Sequence, residues 1–127
     1  MKSKIILAAA LVAVAAPALA ADKPMSAGEF LRRAEPLMKK SKVALVFSGE
    51  ARMLLRMVGD AAQKNRDRLD ADRAAGRKVS TCLPPKGKAE IKADELLRYM
   101  RSLPPAQKAQ SFDAAFSGYV ARKYPCR

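Results

Sequence analysis

The sequence lacks several residues on which enzyme chemistry commonly depends. It contains no His and no Trp, and only two of its 127 residues are Cys. The absence of imidazole excludes histidine-based catalytic triads and histidine ligands to a metal. Two thiols alone cannot complete a zinc site, which commonly takes four nitrogen or sulfur ligands.

Motifs that carry catalysis are also missing. The chain has no glycine-rich phosphate loop, no H-E-x-x-H, no G-x-S-x-G and no carboxylate cluster at metal-ligand spacing. A Ser–Lys dyad involving Ser80 or Ser111 is formally open, but a loop serine and a helix cap account for both residues. We therefore expect a protein that is not an enzyme and that needs no cofactor or metal.

Acidic residues are scarce relative to basic ones. Lys and Arg total 25 against 12 Asp and Glu, which gives a formal net charge of +13. Such an excess attracts anionic partners, among them nucleic acids, acidic proteins and anionic lipid surfaces. The low aromatic content of 6% and the lack of a nucleic-acid-binding motif argue against a nucleic-acid partner.

The first 20 residues have the pattern of a secretory signal peptide. Lys2 and Lys4 precede an apolar run at positions 5–16, and Ala18-Leu19-Ala20 supplies small residues for cleavage. The alternative is a membrane anchor or a buried N-terminal helix. A membrane span takes about 20 residues, which is more than this run offers. Cleavage after Ala20 would leave 127 − 20 = 107 residues in the periplasm with a charge of 13 − 2 = +11. Export also opposes a nucleic-acid partner.

The two cysteines fit an oxidising compartment. Cys82 and Cys126 allow a single intramolecular disulfide, which would close a loop of 126 − 82 = 44 residues. Chain-entropy arguments assign a loop of this length about 4 kcal/mol of stabilisation. A redox pair or a nucleophilic thiol is the alternative, and neither a C-x-x-C spacing nor a histidine supports it.

The apolar pattern over residues 21–127 predicts one small all-α domain of about four helices. Ser26 and Glu29 form a capping box at the start of the first helix, and Pro36 predicts a kink or a break within it. The apolar residues 43–47 are too few to distinguish a strand from a helical turn. Because no second strand is available to pair with them, we expect a buried connector or helical turn.

The second predicted helix is the longest. Ser48 caps its start, and Gly76 follows its last turn. Its apolar face is predicted to comprise Leu54, Leu55, Val58, Ala61, Ala62 and Leu69. Opposite charges recur four residues apart at Asp60–Lys64, Arg66–Asp70 and Arg68–Asp72. This pairing favours a solvated extension of the helix over a partner-facing arm.

The C-terminal part contains a loop and two further predicted helices. Two prolines and a glycine make residues 77–90 a loop. An amphipathic helix then runs from Ile91 to Leu103 and is stopped by Pro104-Pro105. Ser111 caps the last helix, and Pro125 ends it.

The sequence from Cys82 onward has a recognisable layout. Its elements are Cys82-Leu83-Pro84-Pro85, a D-E-L-L-R-Y-M helix at positions 94–100, Leu103-Pro104-Pro105 and a closing Lys123-Tyr124-Pro125-Cys126. This layout resembles the Rap/Tai family of type VI secretion amidase immunity proteins, over the C-terminal half only. The matching positions are Cys82, Leu83, Pro84, Tyr99, Pro104, Tyr124, Pro125 and Cys126.

The resemblance implies a helical periplasmic protein, often a homodimer, that binds and inhibits a peptidoglycan amidase effector. No inhibitory loop can be carried over residue by residue. The best candidates for partner binding are Pro84, Pro85, Lys86, Gly87 and Lys88, because this segment is expected to be exposed, tethered and basic. The alternative is a non-enzymatic basic protein that associates with anionic lipid head groups or cell-wall polymers.

Overall fold

A computed structural model describes residues 23–127, so the predicted signal peptide lies outside the described residues. The described part folds into six helices and no strand, with the two cysteines joined in a disulfide. The helices are α1 (Ala27–Leu37), α2 (Lys42–Val46), α3 (Gly49–Ala74), α4 (Ala93–Ser102), α5 (Pro105–Lys108) and α6 (Phe112–Lys123). The predicted small all-α fold with one disulfide is confirmed. The four predicted helices correspond to α1, α3, α4 and α6, and two short helices join them.

Serine side chains begin the three helices for which they were predicted. Their Oγ atoms accept the backbone N–H three residues ahead at 3.1 Å for Ser26 and at 3.2 Å for Ser48 and Ser111. These bonds satisfy donors that the first helical turn leaves unpaired. The carboxylate of Glu29 binds Arg33 at 2.7 Å, so the second half of the predicted capping box is replaced by an ion pair.

The starts of α1 and α6 lie side by side. The Ala27 N–H donates to the Gln110 carbonyl and the Phe112 N–H donates to the Met25 carbonyl, both at 2.9 Å. Pro36 lies in the last turn of α1, and the helix ends one residue later. Proline therefore coincides with the end of the helix and does not divide it, as expected from its missing N–H and its ring.

The core is built on the apolar face of α6. Phe112, Phe116 and Met100 are fully buried. The rings of Phe30 and Phe112 stack with centroids 4.2 Å apart, and Phe116 lies 5.9 Å from Phe112. Because α6 contacts α1, α3 and α4, its aromatic side chains fill the space shared by the four longer helices.

The second half of α3 packs more closely than the sequence predicts. None of the three predicted i,i+4 pairs forms within the described residues. Ion pairs form instead at Lys64–Asp113, Asp70–Arg73 and Asp72–Arg77. Asn65 and Leu69 are buried. The interpretation of this half as a freely solvated extension is therefore wrong, because its charged side chains also reach α6 and the loop that follows α3.

Residues 43–47 were expected to form a buried connector or helical turn. They do form a helical turn, but they are not buried. The turn is α2 with its C-cap residue Phe47, and Val43, Val46 and Phe47 have exposed fractions of 69%, 67% and 80%. Leu55, assigned to the apolar face of α3, is 69% exposed as well. The prediction of burial fails at Val43, Val46 and Phe47 because a five-residue helix between two neighbours can turn only part of its surface inward, here Leu45.

The turns that end the helices largely follow the sequence. Gly76 adopts a φ of 73°, the left-handed conformation that a glycine after a helix provides. The helix after the loop begins at Ala93, two residues beyond Ile91, and ends at Ser102 before the two prolines. Pro105 itself does not end a helix. It is the first residue of α5, a position at which the missing N–H costs no helical hydrogen bond.

A pair of phenylalanine substitutions tests the burial pattern. Phe116→Ala should lower the free energy of unfolding by about 3–5 kcal/mol, because it removes a fully buried ring and leaves a cavity. Phe47→Ala, at an exposed position, should change it by less than about 0.5 kcal/mol. Urea unfolding followed by circular dichroism measures both, and equal losses for the two variants would contradict this core.

Candidate functional site

The predicted disulfide joins the C-terminus to the loop before α4. Cys82 and Cys126 are bonded, with their Cα atoms 4.8 Å apart. Two backbone hydrogen bonds flank the disulfide: the Cys82 N–H donates to the Tyr124 carbonyl at 2.9 Å, and the Cys126 N–H donates to the Ser80 carbonyl at 2.8 Å. The two segments therefore run antiparallel for a short distance and fix the first end of the loop at residues 82–90.

Arginine side chains from α3 hold the same end. Arg73 Nη2 donates to the carbonyl of buried Thr81 at 3.1 Å. Seven residues earlier in α3, Arg66 Nη1 donates to the Pro84 carbonyl, also at 3.1 Å. Hydrogen bonds from a charged donor to a carbonyl are stronger than neutral ones. Basic residues that looked like solvated charge in the sequence thus anchor the loop backbone.

The other end of the loop is held by one tyrosine. The Tyr124 hydroxyl accepts the Glu90 N–H at 3.0 Å and donates to the Glu90 carbonyl at 3.1 Å. A phenol can do both at once because it has one donor and two acceptor positions. Residues 82–90 are therefore held at both ends, and we call this segment the clamped loop.

The tip of the clamped loop carries the residues predicted to bind a partner. The Lys88 N–H donates to the Pro85 carbonyl at 2.9 Å, which closes a turn. Gly87 adopts a φ of 87° in this turn, a conformation that a side chain disfavours. Pro84 is half-buried, and the other four residues are exposed. The structure thus places all five together at one largely exposed turn, and their role in partner binding stays a prediction.

A polar cluster between α4 and α6 was not found from the sequence. Lys123 Nζ donates to the Glu95 carboxylate at 2.6 Å, and the Tyr119 hydroxyl lies 3.4 Å from both. Glu95 lies 24 positions before Tyr119 and 28 positions before Lys123, so no local pattern connects it to them. Only the Tyr119–Lys123 spacing of one helical turn is visible in the sequence.

The ionisation of this cluster suits a structural role. The hydrogen bond from Lys123 lowers the pKa of Glu95, and the same bond raises the pKa of Lys123 to about 12. Burial raises the pKa of Tyr119. Near neutral pH the carboxylate and the ammonium group both stay charged, so neither is poised to exchange a proton. The pair therefore links α4 to α6.

The described residues hold no group of three or more His, Cys, Asp or Glu side chains that could bind a metal ion. Among the helices of residues 23–127, none has the length and apolar character needed to cross a membrane.

A second surface stands out by its exposed apolar side chains. Five large apolar residues of the described chain are exposed, and all five lie between positions 38 and 55. They are Met38, Val43, Val46, Phe47 and Leu55, and we call them the α2 surface. Three of them, Met38, Val46 and Leu55, border an apolar groove of about 490 Å³ whose walls include Phe30, Leu54 and Leu97. Sequence reasoning missed this surface because helical periodicity assigned Leu55 to an apolar face, and because residues 43–47 were expected to form a buried connector or helical turn.

Comparisons with models of protein families, with curated proteins and with solved structures found no match for this chain.

The Glu95–Lys123 pair predicts a loss of stability in acid. A carboxylate whose pKa falls on folding stabilises the fold above its ordinary value of 4.5, and that contribution is lost as the pH falls through the lower folded value. The lysine contribution is present below pH 10.5 and is lost as the pH rises through about 12.

Glu95→Gln should lower the urea midpoint at pH 7, and its difference from the wild type should shrink below pH 4.5. Asp94→Asn is the control, because Asp94 contacts only Arg98, at 3.6 Å. A difference that did not change with acidification would contradict the assignment.

The tyrosine clamp can be tested by removing one oxygen atom. Tyr124→Phe keeps the ring but loses both hydrogen bonds to Glu90, so amide exchange at Glu90 should accelerate by about tenfold. Hydrogen exchange read by NMR measures this effect, with the amides of α1 as the internal control. Unchanged exchange at Glu90 would show that the hydroxyl does not hold the loop.

Proposed function

We propose that this chain is a periplasmic immunity-type protein that binds and inhibits a peptidoglycan amidase effector of type VI secretion, and that the clamped loop makes the inhibitory contact. The observation that carries the proposal is an exposed basic turn whose backbone is fixed on both sides. The disulfide and two arginines hold one side, and Tyr124 holds the other.

A fixed loop is well suited to blocking an enzyme. Ordering a flexible loop on binding costs conformational entropy, and a loop already held in its bound shape avoids most of that cost. Enzyme sites are concave, and a hydrolase that cuts a polymer needs an open cleft, which a projecting turn can fill. Lys86 and Lys88 are exposed at the tip and would speed encounter with an acidic enzyme surface.

The resemblance to the Rap/Tai family supports the same conclusion. Cys82 and Cys126 form the disulfide, and Tyr124 is the clamp at Glu90. The Pro84 carbonyl receives the bond from Arg66. Residues at positions that match the family thus hold the two ends of the clamped loop. The tip between these ends has a different chemistry, because it carries Lys86 and Lys88. This is the division expected of inhibitors that share a scaffold and differ in the enzyme they recognise.

A second candidate function is a basic, non-enzymatic protein associated with the cell envelope. The concentration of exposed apolar side chains on the α2 surface favours it, because loop-mediated inhibition gives these residues no role. The two functions need different surfaces, so one chain can perform both.

Charge reversal at the tip tests the inhibitory contact. The purified protein should block cleavage of muropeptides by an amidase encoded beside it. Lys86→Glu/Lys88→Glu should weaken inhibition by at least about tenfold, because it opposes both encounter and contact. Lys39→Glu/Lys40→Glu is the matched control, since it changes the net charge equally at two exposed lysines outside the loop.

Two results would contradict the proposal. Full cleavage in the presence of excess wild-type protein would exclude inhibition of that amidase. Equal weakening by the loop variant and its control would show that net charge, and not the loop, determines inhibition.

A further inference from the structure

The exposed apolar residues of α2 and of its C-cap lie on one side of that helix. Val46 and Phe47 follow Val43 by three and four positions, which places all three side chains on the same side. Leu45 points the other way and packs against the core. Val46 also borders the groove together with Met38 and Leu55, so the α2 surface is continuous. Its outermost residue, Phe47, is 80% exposed, which shows that this part of the surface projects outward.

Basic residues flank the residues of this surface along the chain. Between positions 36 and 56 the chain has five basic residues and a single acid. The basic residues, all exposed, are Lys39, Lys40, Lys42, Arg52 and Arg56. The one acid, Glu50, lies 3.6 Å from Arg33 and is thus already paired. None of the five basic residues takes part in an ion pair within residues 23–127.

We propose that the α2 surface docks on an anionic lipid bilayer, with Val43, Val46 and Phe47 entering the interface and the surrounding lysines and arginines contacting the head groups. Projecting apolar side chains ringed by Lys and Arg are the combination by which proteins bind membranes without crossing them. The apolar residues gain by leaving water, and each nearby cation gains from the negative surface potential.

Charge decides between this occupant and a second copy of the chain. Two copies meeting through this face would bring five unpaired cations of each against those of the other, and such juxtaposition is unfavourable. An anionic bilayer neutralises all of them at once. An acidic helix of another protein lying in the groove is the competing occupant, and the experiment below distinguishes it.

The α2 surface and the anchors of the clamped loop are formed by different residues. The N-terminus of α3 directly follows α2, whereas Arg66 and Arg73, which hold the loop, belong to the second half of α3. The loop tip lies nearer to the middle of α3, because Lys86 and Gly87 border a pocket with Gly59, and Ile91 lines both that pocket and the apolar groove. Membrane docking therefore does not depend on the amidase proposal and is compatible with it.

Vesicle binding by matched variants tests the inference. The full sequence is expressed, and the form that the cell produces is purified and checked by mass spectrometry, so that every variant shares the same N-terminus. Cosedimentation with phosphatidylcholine vesicles, with and without phosphatidylglycerol, gives the partition coefficients. Wild-type protein should bind the anionic vesicles at least about tenfold more tightly, and moderate salt should abolish most of this difference.

Two variants separate the charged from the apolar contribution. Lys39→Ala/Lys40→Ala/Lys42→Ala should weaken binding about 100-fold, because each cation near the surface contributes about fivefold. Lys78→Ala/Arg122→Ala/Arg127→Ala loses the same charge at exposed residues elsewhere and should weaken binding far less. Val43→Ser/Phe47→Ser should weaken it by about tenfold with an unchanged melting temperature, since both residues are exposed.

Three outcomes would overturn the inference. The first is no binding of wild-type protein to anionic vesicles at low salt. The second is equal weakening by the two triple variants, which would reduce the effect to net charge. The third is unchanged vesicle binding by Val43→Ser/Phe47→Ser together with loss of a protein that copurifies with the wild type, which would make this face a protein-binding groove.

Discussion

The disulfide between Cys82 and Cys126 is the constraint on which the geometry of the loop depends. It closes a separation of 44 residues and brings the end of the chain against the segment before α4. In that arrangement Tyr124, two positions before the cysteine, reaches Glu90 with its hydroxyl. One covalent bond therefore places the clamps on the loop as well as reducing the entropy of the unfolded chain. A domain of this size, with few large apolar residues, benefits from such a tie.

The aromatic face of α6 supplies the complementary constraint. Phe112 and Phe116 are buried among α1, α3 and α4, so α6 cannot move without disturbing all of them. The ion pair between Glu95 and Lys123 fixes the end of α6 nearest the disulfide to α4. Core packing and the covalent tie thus hold the two flanks of residues 82–90 in place, which is why an irregular segment can present a defined shape.

Local rules were enough to predict the helices but not the role of the charged residues. Serine caps, the glycine at position 76 and the prolines act within a few residues of themselves, and the sequence reveals them directly. Arg66 and Arg73 looked like members of an exposed charged helix, because their partners are backbone carbonyls that no side-chain pattern records. The loop tip was identified from its composition and expected tether, but its clamp at Glu90 is a contact across 34 residues that only the folded chain brings together.

The α2 surface shows the limit of apolar periodicity as a guide to burial. Residues 43–47 are the most apolar stretch after the predicted signal peptide, and such stretches are normally interior. A short helix flanked by two longer ones cannot bury all of its sides, so the same residues become an exposed patch. Leaving large apolar side chains in water is a liability for a protein in solution unless something covers them. The cations near them in the chain favour a negatively charged partner surface.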